Sequence, residues 1–432
     1  MTYQETLNYL YQQLPMYQRI GNAAFKKSLD NILVLCEALN QPQTNFRSVH
    51  IAGTNGKGSS SNMLAAVLQA AGYKTGLYTS PHLKSFTERI KINGQDVPEE
   101  YVVAFVGQHQ PLFEKVQPSF FEMTVALAFQ FFADEGVDVA IIEVGLGGRL
   151  DSTNIITPLV SLITSIGLDH QALLGHDLPS IAREKAGIIK SGVPVVVSQT
   201  QPEIREVFAQ KAASAEAPLS FADQEYQVQP ASSDSVYYQV VEVKKQGLPY
   251  LPHLKLDLPG NYQLMNLPGV LKVLELLNSQ GFSIGLEEIR EGLGQVKELT
   301  QFKGRWQVLH QKPLTICDTG HNEDGIRQVV RQLRELPCRQ VHFVFGTVSD
   351  KDISSVLALL PKEGVYYFCR PDIPRGLPVE ELLPLTQAAG LWGEPFETVG
   401  AAYQAARQAA SEEDVIFIGG STFVVAEIPD LL

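Results

Sequence analysis

Short apolar runs alternate with amphipathic stretches between residues 47 and 199, and this alternation predicts an α/β fold. Ser48–Ala52 and Thr75–Thr79 have the composition of buried strands, and Ser60–Ala71 between them has helical spacing. Phe120–Glu135 predicts a buried crossover helix. Strands joined by helices in this way are typical of a doubly wound, mostly parallel sheet. The other strands predicted for this sheet are Val137–Glu143, Leu159–Ile166 and Val193–Ser198.

The alternation stops between residues 201 and 257, where prolines and serines are frequent and Val236–Val243 has the periodicity of a strand. We therefore predict an antiparallel hairpin region appended to the first domain. Helical spacing returns over Gly260–Gly281 and continues over Leu286–Val296.

A second alternation of strands and helices begins near Gly304 and predicts a smaller, Rossmann-like domain. Its predicted strands are Leu314–Asp318, Val341–Gly346, Val365–Arg370 and Asp414–Ile418. Its predicted helices are Gly325–Glu335, Asp352–Leu360 and Ala401–Ala410. We predict a first domain over residues 1–297, a linker over 298–304 and a second domain over 305–432.

Composition and charge narrow the classes of partner. The 432 residues are 44% hydrophobic and 19% charged, as in ordinary globular proteins, and the formal net charge is -13. An acidic chain does not bind nucleic acid through a diffuse basic surface. No apolar run has the length of a membrane span, and the four cysteines lack metal-ligand spacing. We predict a cytoplasmic, monomeric protein without nucleic-acid or membrane partners.

The segment G-T-N-G-K-G-S-S at Gly53–Ser60 joins a predicted strand to a predicted helix. Glycines let backbone N–H groups converge on a phosphate, a lysine reaches the terminal phosphates, and a hydroxyl ligates Mg²⁺. The spacing departs from the strict P-loop, because Gly58 separates Lys57 from Ser59 and Ile51 replaces the first glycine. A tight turn without a ligand therefore stays an alternative. The residues predicted to bind nucleotide here are Thr54, Asn55, Gly56, Lys57, Gly58 and Ser59.

Polar side chains follow three other predicted strands. Ser80, Glu143 and His170 stand at or just after strand ends, where open parallel sheets bind ligands. With Ser59 they offer hydroxyl, carboxylate and imidazole ligands for a metal beside a triphosphate. Mg²⁺ prefers oxygen, so a structural role is the alternative for the histidine. Lys185 lies among small and apolar residues and is either a surface lysine or a desolvated amine that carbon dioxide converts to a metal-binding carbamate.

Several motifs together resemble the folylpolyglutamate synthase and dihydrofolate synthase branch of the Mur ligase family. The resemblance extends over nearly the whole chain. It rests on Gly53–Ser59, Ser80–Leu83, Glu88–Ile90, Ile92–Gly94, Phe121–Thr124, Glu143–Asn154, Asp169–His170 and Glu184–Ile188.

The resemblance implies an ATP-dependent ligase with the ATP-binding and folate-binding functions in residues 1–297 and glutamate ligase functions in residues 305–432. A substrate carboxylate is phosphorylated to an acyl phosphate, and the amine of L-glutamate then displaces phosphate. Lys57, His170 and Lys185 are the implied catalytic residues. Two Mg²⁺ ions lower the repulsion between the anions. Their implied ligands are Ser59, Ser80, Glu143, His170 and Lys185 as a carbamate.

The same resemblance assigns residues of the later part of the chain to the nucleotide. Arg305 contacts phosphate, Asp318 and His321 close over the nucleotide, and Asn266 contacts adenine. Lys303 replaces the usual proline before Gly304, and Asn261-Tyr262 stand where Arg-His is common. A helix cap and a domain linker are the alternative roles for these segments.

Phe121, Asp151 and Arg89 are implied to line the pterin side of the substrate pocket. A core phenylalanine and a capping aspartate are the alternative roles for the first two. The expected function is a bifunctional one, which joins L-glutamate to dihydropteroate and then extends reduced folates. The alternatives are chain extension alone, a cell-wall Mur ligase, and, in another class, a regulatory or transport ATPase.

Overall fold

Six parallel strands and an antiparallel hairpin form the largest sheet of the chain, in the order β4-β3-β2-β5-β1-β6-β7-β8. The strands are β1 Arg47–Ala52, β2 Thr75–Tyr78, β3 Ile90–Ile92, β4 Gln95–Asp96, β5 Val139–Glu143, β6 Val160–Ile163, β7 Val195–Val197 and β8 Leu219–Phe221. Strands β5 and β6 are buried along their whole length, which explains their continuous apolar runs.

The computed structural model describes residues 1–13, 28–233, 235–349 and 353–431, which divide into two units. The first unit comprises Met1–Ser232, Val240–Asp257 and Gln263–Phe302. The second unit comprises Ser233–Gln239, Leu258–Tyr262 and Lys303–Leu432.

Helices cover both faces of the large sheet and carry its crossovers. The helix Lys57–Ala70 begins at the end of the glycine-rich turn, three residues earlier than the sequence predicts, and is buried along most of its length. The other helices of the first unit are Tyr3–Gln13, Asp30–Ala38, Glu99–Val116, Phe120–Asp134, Gln171–Leu174, Leu178–Ala186, Arg205–Ser214, Ala222–Glu225, Gln263–Ser279, Leu286–Gly294 and Val296–Thr300. Its short 3-10 helices are Pro42–Thr44, Phe86–Arg89 and Ser152–Ile155.

The region from residue 201 onward corrects one prediction. The helix Arg205–Ser214 and strand β8 continue the parallel alternation, and β8 pairs parallel with β7. The antiparallel region begins only at β9 Tyr226–Ala231, which pairs with β10 Gln239–Lys245, and β11 Leu248–Leu256 completes a three-stranded sheet. The continuous helix predicted over Leu286–Val296 is also wrong, because Gln295 has φ -138° and separates two helices.

The second unit has a six-stranded sheet in the order β12-β13-β17-β14-β15-β16, parallel except for β12. Its strands are β12 Gln307–Gln311, β13 Leu314–Cys317, β14 Val341–Phe345, β15 Val365–Cys369, β16 Gly393–Phe396 and β17 Val415–Gly419. Its helices are Glu323–Glu335, Ser354–Leu359, Val379–Ala388, Val399–Ala409 and Thr422–Ala426. Asp352, the predicted start of one helix, lies outside the described residues.

Separate hydrophobic cores support the two units. Phe129, Phe132 and Ile142 are fully buried in a core of the first unit, and Phe343 and Phe417 are buried in the core of the second. The predicted fold class, an α/β chain with a mostly parallel first sheet and a smaller Rossmann-like second sheet, is confirmed. Within the described ranges, no helix combines the length and apolarity needed to cross a membrane.

Candidate active site

The glycine-rich turn after β1 leads directly into the helix Lys57–Ala70. Gly56 is the N-cap residue with φ 91°, a left-handed conformation that favours glycine. A Cβ atom at Gly56 would also collide with the Oδ1 atom of Asn266. No side chain in the described part of the chain caps this helix. The first N–H groups of a helix have no carbonyl partner within it, so this end can bind an anion.

Two lysines donate to one backbone carbonyl in this turn. The Nζ atom of Lys185 lies 2.8 Å from the Gly53 carbonyl oxygen, and the Nζ atom of Lys57 lies 3.1 Å from the same oxygen. Burial, and next the positive charge of Lys57, lower the pKa of Lys185 from its usual 10.5 to about 7. Near neutral pH a substantial fraction of this side chain is therefore a neutral, nucleophilic amine.

Hydrogen bonds join the turn to the chain that follows β6. The Thr54 backbone N–H donates to the Ser165 carbonyl at 2.8 Å, and the Thr54 hydroxyl donates to the Gly167 carbonyl at 3.0 Å. The Thr164 hydroxyl donates to the Asn55 carbonyl at 2.7 Å. The loop that carries His170 is thereby held beside the glycine-rich turn.

Ser59 belongs to a buried chain of side-chain hydrogen bonds. Its Oγ atom accepts from Gln263 Nε2 at 3.1 Å, and Gln263 Oε1 accepts from Asn266 Nδ2 at 2.8 Å. Sequence analysis missed Gln263, which is fully buried. The available signal was its position three residues before Asn266, which places both side chains on one face of a helix.

Glu143 ends β5 with a carboxylate that is almost fully buried. Its Oε2 atom accepts from the Ser80 backbone N–H at 3.2 Å, and a Cβ atom built on Gly58 would lie 3.8 Å from both carboxylate oxygens. The structure thus brings Glu143, Ser80 and the start of the Lys57–Ala70 helix together.

This donor set fits a hard cation such as Mg²⁺. A carboxylate and hydroxyls offer the oxygen ligands that Mg²⁺ prefers, and the glycine at position 58 keeps the carboxylate near the anion-binding helix end. In the described ranges, no group of three or more His, Cys, Asp or Glu residues is arranged to hold a metal by itself. Mg²⁺ ordinarily completes its shell with water and substrate phosphates, so a nucleotide would supply the remaining ligands.

His170 lies at the start of the short helix Gln171–Leu174 with φ 49°. Its backbone N–H donates to Asp169 Oδ1 at 2.8 Å, and its Nε2 atom lies 3.9 Å from Asp169 Oδ2. The imidazole is 27% exposed, so it is accessible from solvent. The left-handed backbone turns the chain sharply after the aspartate.

Phe121 and Asp151 both lie close to Gly145 in the loop after β5, since a Cβ atom on this glycine would lie 2.5 Å from the Phe121 ring and 3.3 Å from Asp151 Oδ2. The Phe121 ring is 6.2 Å from that of Tyr78. Asp151 caps the Ser152–Ile155 helix and accepts from the backbone N–H groups of Leu146 at 2.8 Å and Thr153 at 3.0 Å. The Asp151 carboxylate therefore fixes the conformation of the loop between Leu146 and Thr153.

Arg89 is buried behind the loop that follows β2. Its Nε atom donates to His82 Nδ1 at 2.8 Å, and its guanidinium carbon lies 5.4 Å from the centre of the Phe120 ring. Arg89 is the last residue of the 3-10 helix Phe86–Arg89, whose start is fixed by a capping box between Ser85 and Glu88. Sequence analysis missed His82, whose Nδ1 atom must be unprotonated to accept this hydrogen bond.

The second unit brings its own predicted residues together around the turn after β13: Asp318 and His321 belong to this turn, and Arg305 reaches it from before β12. Asp318 accepts from the Tyr262 hydroxyl at 2.5 Å, the Trp306 N–H at 2.7 Å and the Gly320 N–H at 2.7 Å. The Arg305 guanidinium donates to the Thr319 hydroxyl. His321 Nδ1 lies 3.0 Å from the Thr319 carbonyl oxygen. Tyr262 and Trp306 carried no chemical motif and were missed.

The first unit therefore combines a doubly wound sheet, an uncapped helix end after a glycine-rich turn, two lysines and a buried carboxylate. These features define a nucleotide-binding α/β protein with a phosphate-handling site.

Comparison with known proteins gives the family. The Mur ligase middle domain matches residues 51–274, and the Mur ligase glutamate ligase domain matches residues 304–422. The chain belongs to the Mur ligase family, in the branch that contains folylpolyglutamate and dihydrofolate synthases.

Individual relatives span almost the whole chain. Folylpolyglutamate synthase of Lacticaseibacillus casei is 35% identical over 388 residues, which are 88% of this chain and 88% of the relative. The structure of Escherichia coli FolC in complex with DHPP and ADP has a TM-score of 0.86 and 31% identity, covering 99% of this chain and 96% of that one. The bifunctional folylpolyglutamate synthase/dihydrofolate synthase of Yersinia pestis, complexed with AMPPNP and Mn ion, has a TM-score of 0.83 and 31% identity, covering 99% and 97%.

Proposed function

We propose that this protein is a bifunctional ATP-dependent ligase that joins L-glutamate to dihydropteroate and adds further glutamates to reduced folates. The observation that carries the proposal is the arrangement around Gly53, where Lys57 and Lys185 share one carbonyl oxygen at the uncapped helix end. The helix end and Lys57 would attract the phosphates, while the buried amine of Lys185 stands beside them where a triphosphate and a carboxylate must meet. The resemblance to relatives named for both activities supports the choice of substrates.

The reaction has two displacements. A carboxylate oxygen of the folate substrate attacks the γ-phosphorus of ATP, and the bond to ADP breaks. The amine of L-glutamate then attacks the acyl carbon, an amide bond forms, and phosphate leaves with its bonding electron pair. The proton lost by the amine passes to phosphate or water. No covalent bond to the enzyme is required.

The chain's own residues orient and neutralise these anions. The helix beginning at Lys57 directs its N–H groups to the phosphates, and the Lys57 ammonium lies beside the same turn. Ser59, Ser80, Glu143 and His170 would hold two Mg²⁺ ions, which reduce the repulsion between carboxylate and phosphate when bound. Asn266, whose side chain lies against Gly56, is proposed to contact adenine, as the resemblance implies.

Lys185 is proposed to act as a carbamate. Its buried neutral amine would form an N–C bond to carbon dioxide while one C–O π bond of carbon dioxide opens, and the nitrogen would release a proton to water, so that a neutral amine becomes an anionic carbamate. Burial favours this change because the pKa of the amine is lowered to about 7. The resulting carboxylate-like group would add an oxygen ligand to the metal site.

The pterin side of the pocket is assigned to Phe121, Asp151 and Arg89. The partly exposed Phe121 ring beside Gly145 offers a flat apolar surface to a pterin. Asp151 and Arg89 are buried, so they would act largely by holding the loops that line the pocket.

The predicted roles are kept in the proposal: residues 1–297 bind ATP and folate, and residues 305–432 serve glutamate ligation. The predicted linker, 298–304, begins within the helix Val296–Thr300 of the first unit. Arg305, Asp318 and His321 remain predicted nucleotide residues. A monomer in the cytoplasm stays the expected state.

The test is ADP release by the purified protein with Mg²⁺, ATP and L-glutamate, with dihydropteroate and tetrahydrofolate as separate acceptors. Product mass must rise by one glutamate. Turnover on both acceptors is expected, whereas turnover on tetrahydrofolate alone would reduce the function to chain extension. ADP release that ignores glutamate would overturn the ligase assignment and favour an ATPase.

A further inference from the structure

The loop after β5 and the end of the helix Leu178–Ala186 are joined by one buried amide. Asn154 Nδ2 lies 3.1 Å from the Arg149 carbonyl oxygen and 3.1 Å from the Gly187 carbonyl oxygen. It therefore donates one N–H to each of two segments that are more than thirty residues apart in the sequence. Its own carbonyl, Oδ1, is buried and has no hydrogen-bond partner in the described residues. A buried amide oxygen without a partner is unfavourable. The presence of this asparagine therefore indicates that its two N–H donors are important for the structure.

Backbone packing also holds these two segments together beside Lys185. The Arg149 N–H donates to the Glu184 carbonyl at 2.8 Å. A Cβ atom on Gly148 would lie 2.8 Å from the Glu184 oxygen and 3.1 Å from the Cα atom of Lys185. A Cβ atom on Gly187 would collide with the Arg149 backbone. The position of the Lys185 backbone thus depends on this contact.

The side chain of Lys185 has little conformational freedom, because it is buried and hydrogen-bonded. It is 4% exposed, and its Nζ atom donates to the Gly53 carbonyl at 2.8 Å. A shift of the helix end would move the amine away from the glycine-rich turn, because the buried side chain has no room to compensate. Lys190, by contrast, donates to the backbone carbonyl of Asn154 at 2.8 Å, a group that a change of the Asn154 side chain leaves in place.

We propose that Asn154 is a positioning residue for Lys185, which it serves by clamping the carbonyls of Arg149 and Gly187 together. The role deepens the proposed function, because it sets where the amine stands relative to the nucleotide turn. Asn154 acts on the reaction only through Lys185.

The test uses Asn154→Ser, which removes both amide N–H donors and leaves a shorter hydroxyl that can donate to at most one of the two carbonyls. The second variant is Gly148→Ala, which presses on the Lys185 backbone while Asn154 stays intact. Each should lower kcat for glutamate-dependent ADP release on the order of 10- to 100-fold. The KM for ATP should change less than about threefold, because the phosphate-binding turn is intact. Asn278→Ser is the control, since its amide also donates to a backbone carbonyl, that of Ile284, at 2.8 Å.

A second readout follows the lysine itself. Reductive methylation of the folded proteins with labelled formaldehyde, followed by peptide mass spectrometry, gives the labelling of Lys185 relative to Lys190. In Asn154→Ser and Gly148→Ala we expect Lys185 to be labelled severalfold faster than in the parent, with a melting temperature like that of Asn278→Ser.

Unchanged kcat and unchanged labelling of Lys185 would overturn the proposal. Uniformly faster labelling of all lysines with a lowered melting temperature would overturn it as well, because the amide would then serve only general stability. A parent protein without glutamate-dependent turnover would refute the proposed function instead, and the labelling ratio would still decide the role of Asn154.

Discussion

Lys185 shows how a side chain gains chemistry from its neighbours. A lysine on an amphipathic helix is ordinarily a solvated cation, but here the ammonium is buried and shares the Gly53 carbonyl with Lys57. Desolvation and a like charge both favour the neutral amine. The sequence showed the small and apolar neighbours of this lysine, whereas the shared carbonyl depends on folding.

Replacing Lys185 with alanine should lower kcat by about 100-fold, because a group that organises charge at the reacting centre is removed. Nucleotide affinity should fall only modestly, since Lys57 and the helix end remain. The measurement is steady-state ADP release together with calorimetric ATP binding. Arg183→Ala, an exposed change in the same helix turn, is the control. Near-normal turnover of Lys185→Ala would remove the carbamate proposal.

His50 makes a pH-dependent contribution to stability. It is fully buried on β1, where burial and next the charge of Lys190 lower its pKa from 6.5 to about 3. Between these values the unfolded chain binds a proton that the folded chain does not. Stability is therefore lost as the pH falls below 6.5, by about 1.4 kcal/mol per pH unit from this group.

In the variant His50→Gln, the free energy of unfolding should depend less steeply on pH, and the difference in slope should correspond to about one bound proton. Urea unfolding of parent and variant at several values between pH 4 and 6 measures the slope. The control is a pH near 8, where the histidine is neutral in both states and the slopes should agree. If parent and variant showed equal slopes of unfolding free energy against pH between pH 4 and 6, the lowered pKa of His50 would be contradicted.

Short motifs were sufficient to predict which polar residues lie close together at the glycine-rich turn, while their roles stay predictions. Lys57, Ser59 and Glu143 follow strand ends or a glycine-rich turn, and the structure brings them together. Gln263 and His82 could not be found in this way, because each is recognised only by a partner contact: Ser59, 204 residues away, for the first, and the Arg89 guanidinium for the second.

At the scale of elements, buried strands were predicted well and marginal ones poorly. β5 and β6 are wholly buried, so their apolar runs stand out in the sequence. β8 is only partly buried at each position, and β16 contains exposed residues and a proline at the edge of its sheet. Edge strands do not need a continuous apolar run, so pattern alone leaves them unrecognised.

The turn before the helix Lys57–Ala70 can be tested by one added methyl group. Gly56→Ala should abolish measurable ATP binding, because φ is 91° and the Cβ atom would collide with Asn266. Gly72→Ala provides a matched control, since φ is 83° there but no atom lies within 4 Å of the added carbon. Both variants bear a backbone cost of about 1 kcal/mol.

Measurements of equilibrium ATP binding and of thermal unfolding separate the loss of binding from the loss of stability. Both variants should lose the stability that corresponds to the backbone cost, Gly56→Ala should lose more because of the collision with Asn266, and only Gly56→Ala should lose binding. Retained affinity in Gly56→Ala would exclude the turn as the phosphate site.

At the scale of the whole molecule, the chain contributes three segments to each unit. Within the second unit, Gln332 Nε2 donates to the Pro259 carbonyl at 2.9 Å, and Gln332 Oε1 accepts from the Asn261 N–H at 2.7 Å. Tyr262 donates to Asp318. The second unit is therefore completed by residues that precede its main segment by more than forty positions.

A cleavage site engineered after Phe302 tests this arrangement. The two fragments should stay associated during gel filtration in native buffer and separate in denaturant, because residues 258–262 remain packed in the second unit. The same cut in a Tyr262→Phe, Gln332→Ala background should weaken the association. Separation of the parent fragments without denaturant would contradict the described unit.

The order of chain segments also has a consequence for biosynthesis. Ser59 receives its buried partner from Gln263, which follows it by 204 residues. At typical bacterial and eukaryotic synthesis speeds, the ribosome needs about 10 to 40 s to make that interval. During this time the newly made glycine-rich turn exists without the helix that completes it. The nucleotide site of this protein is consequently assembled late in translation, long after its most recognisable motif has left the ribosome.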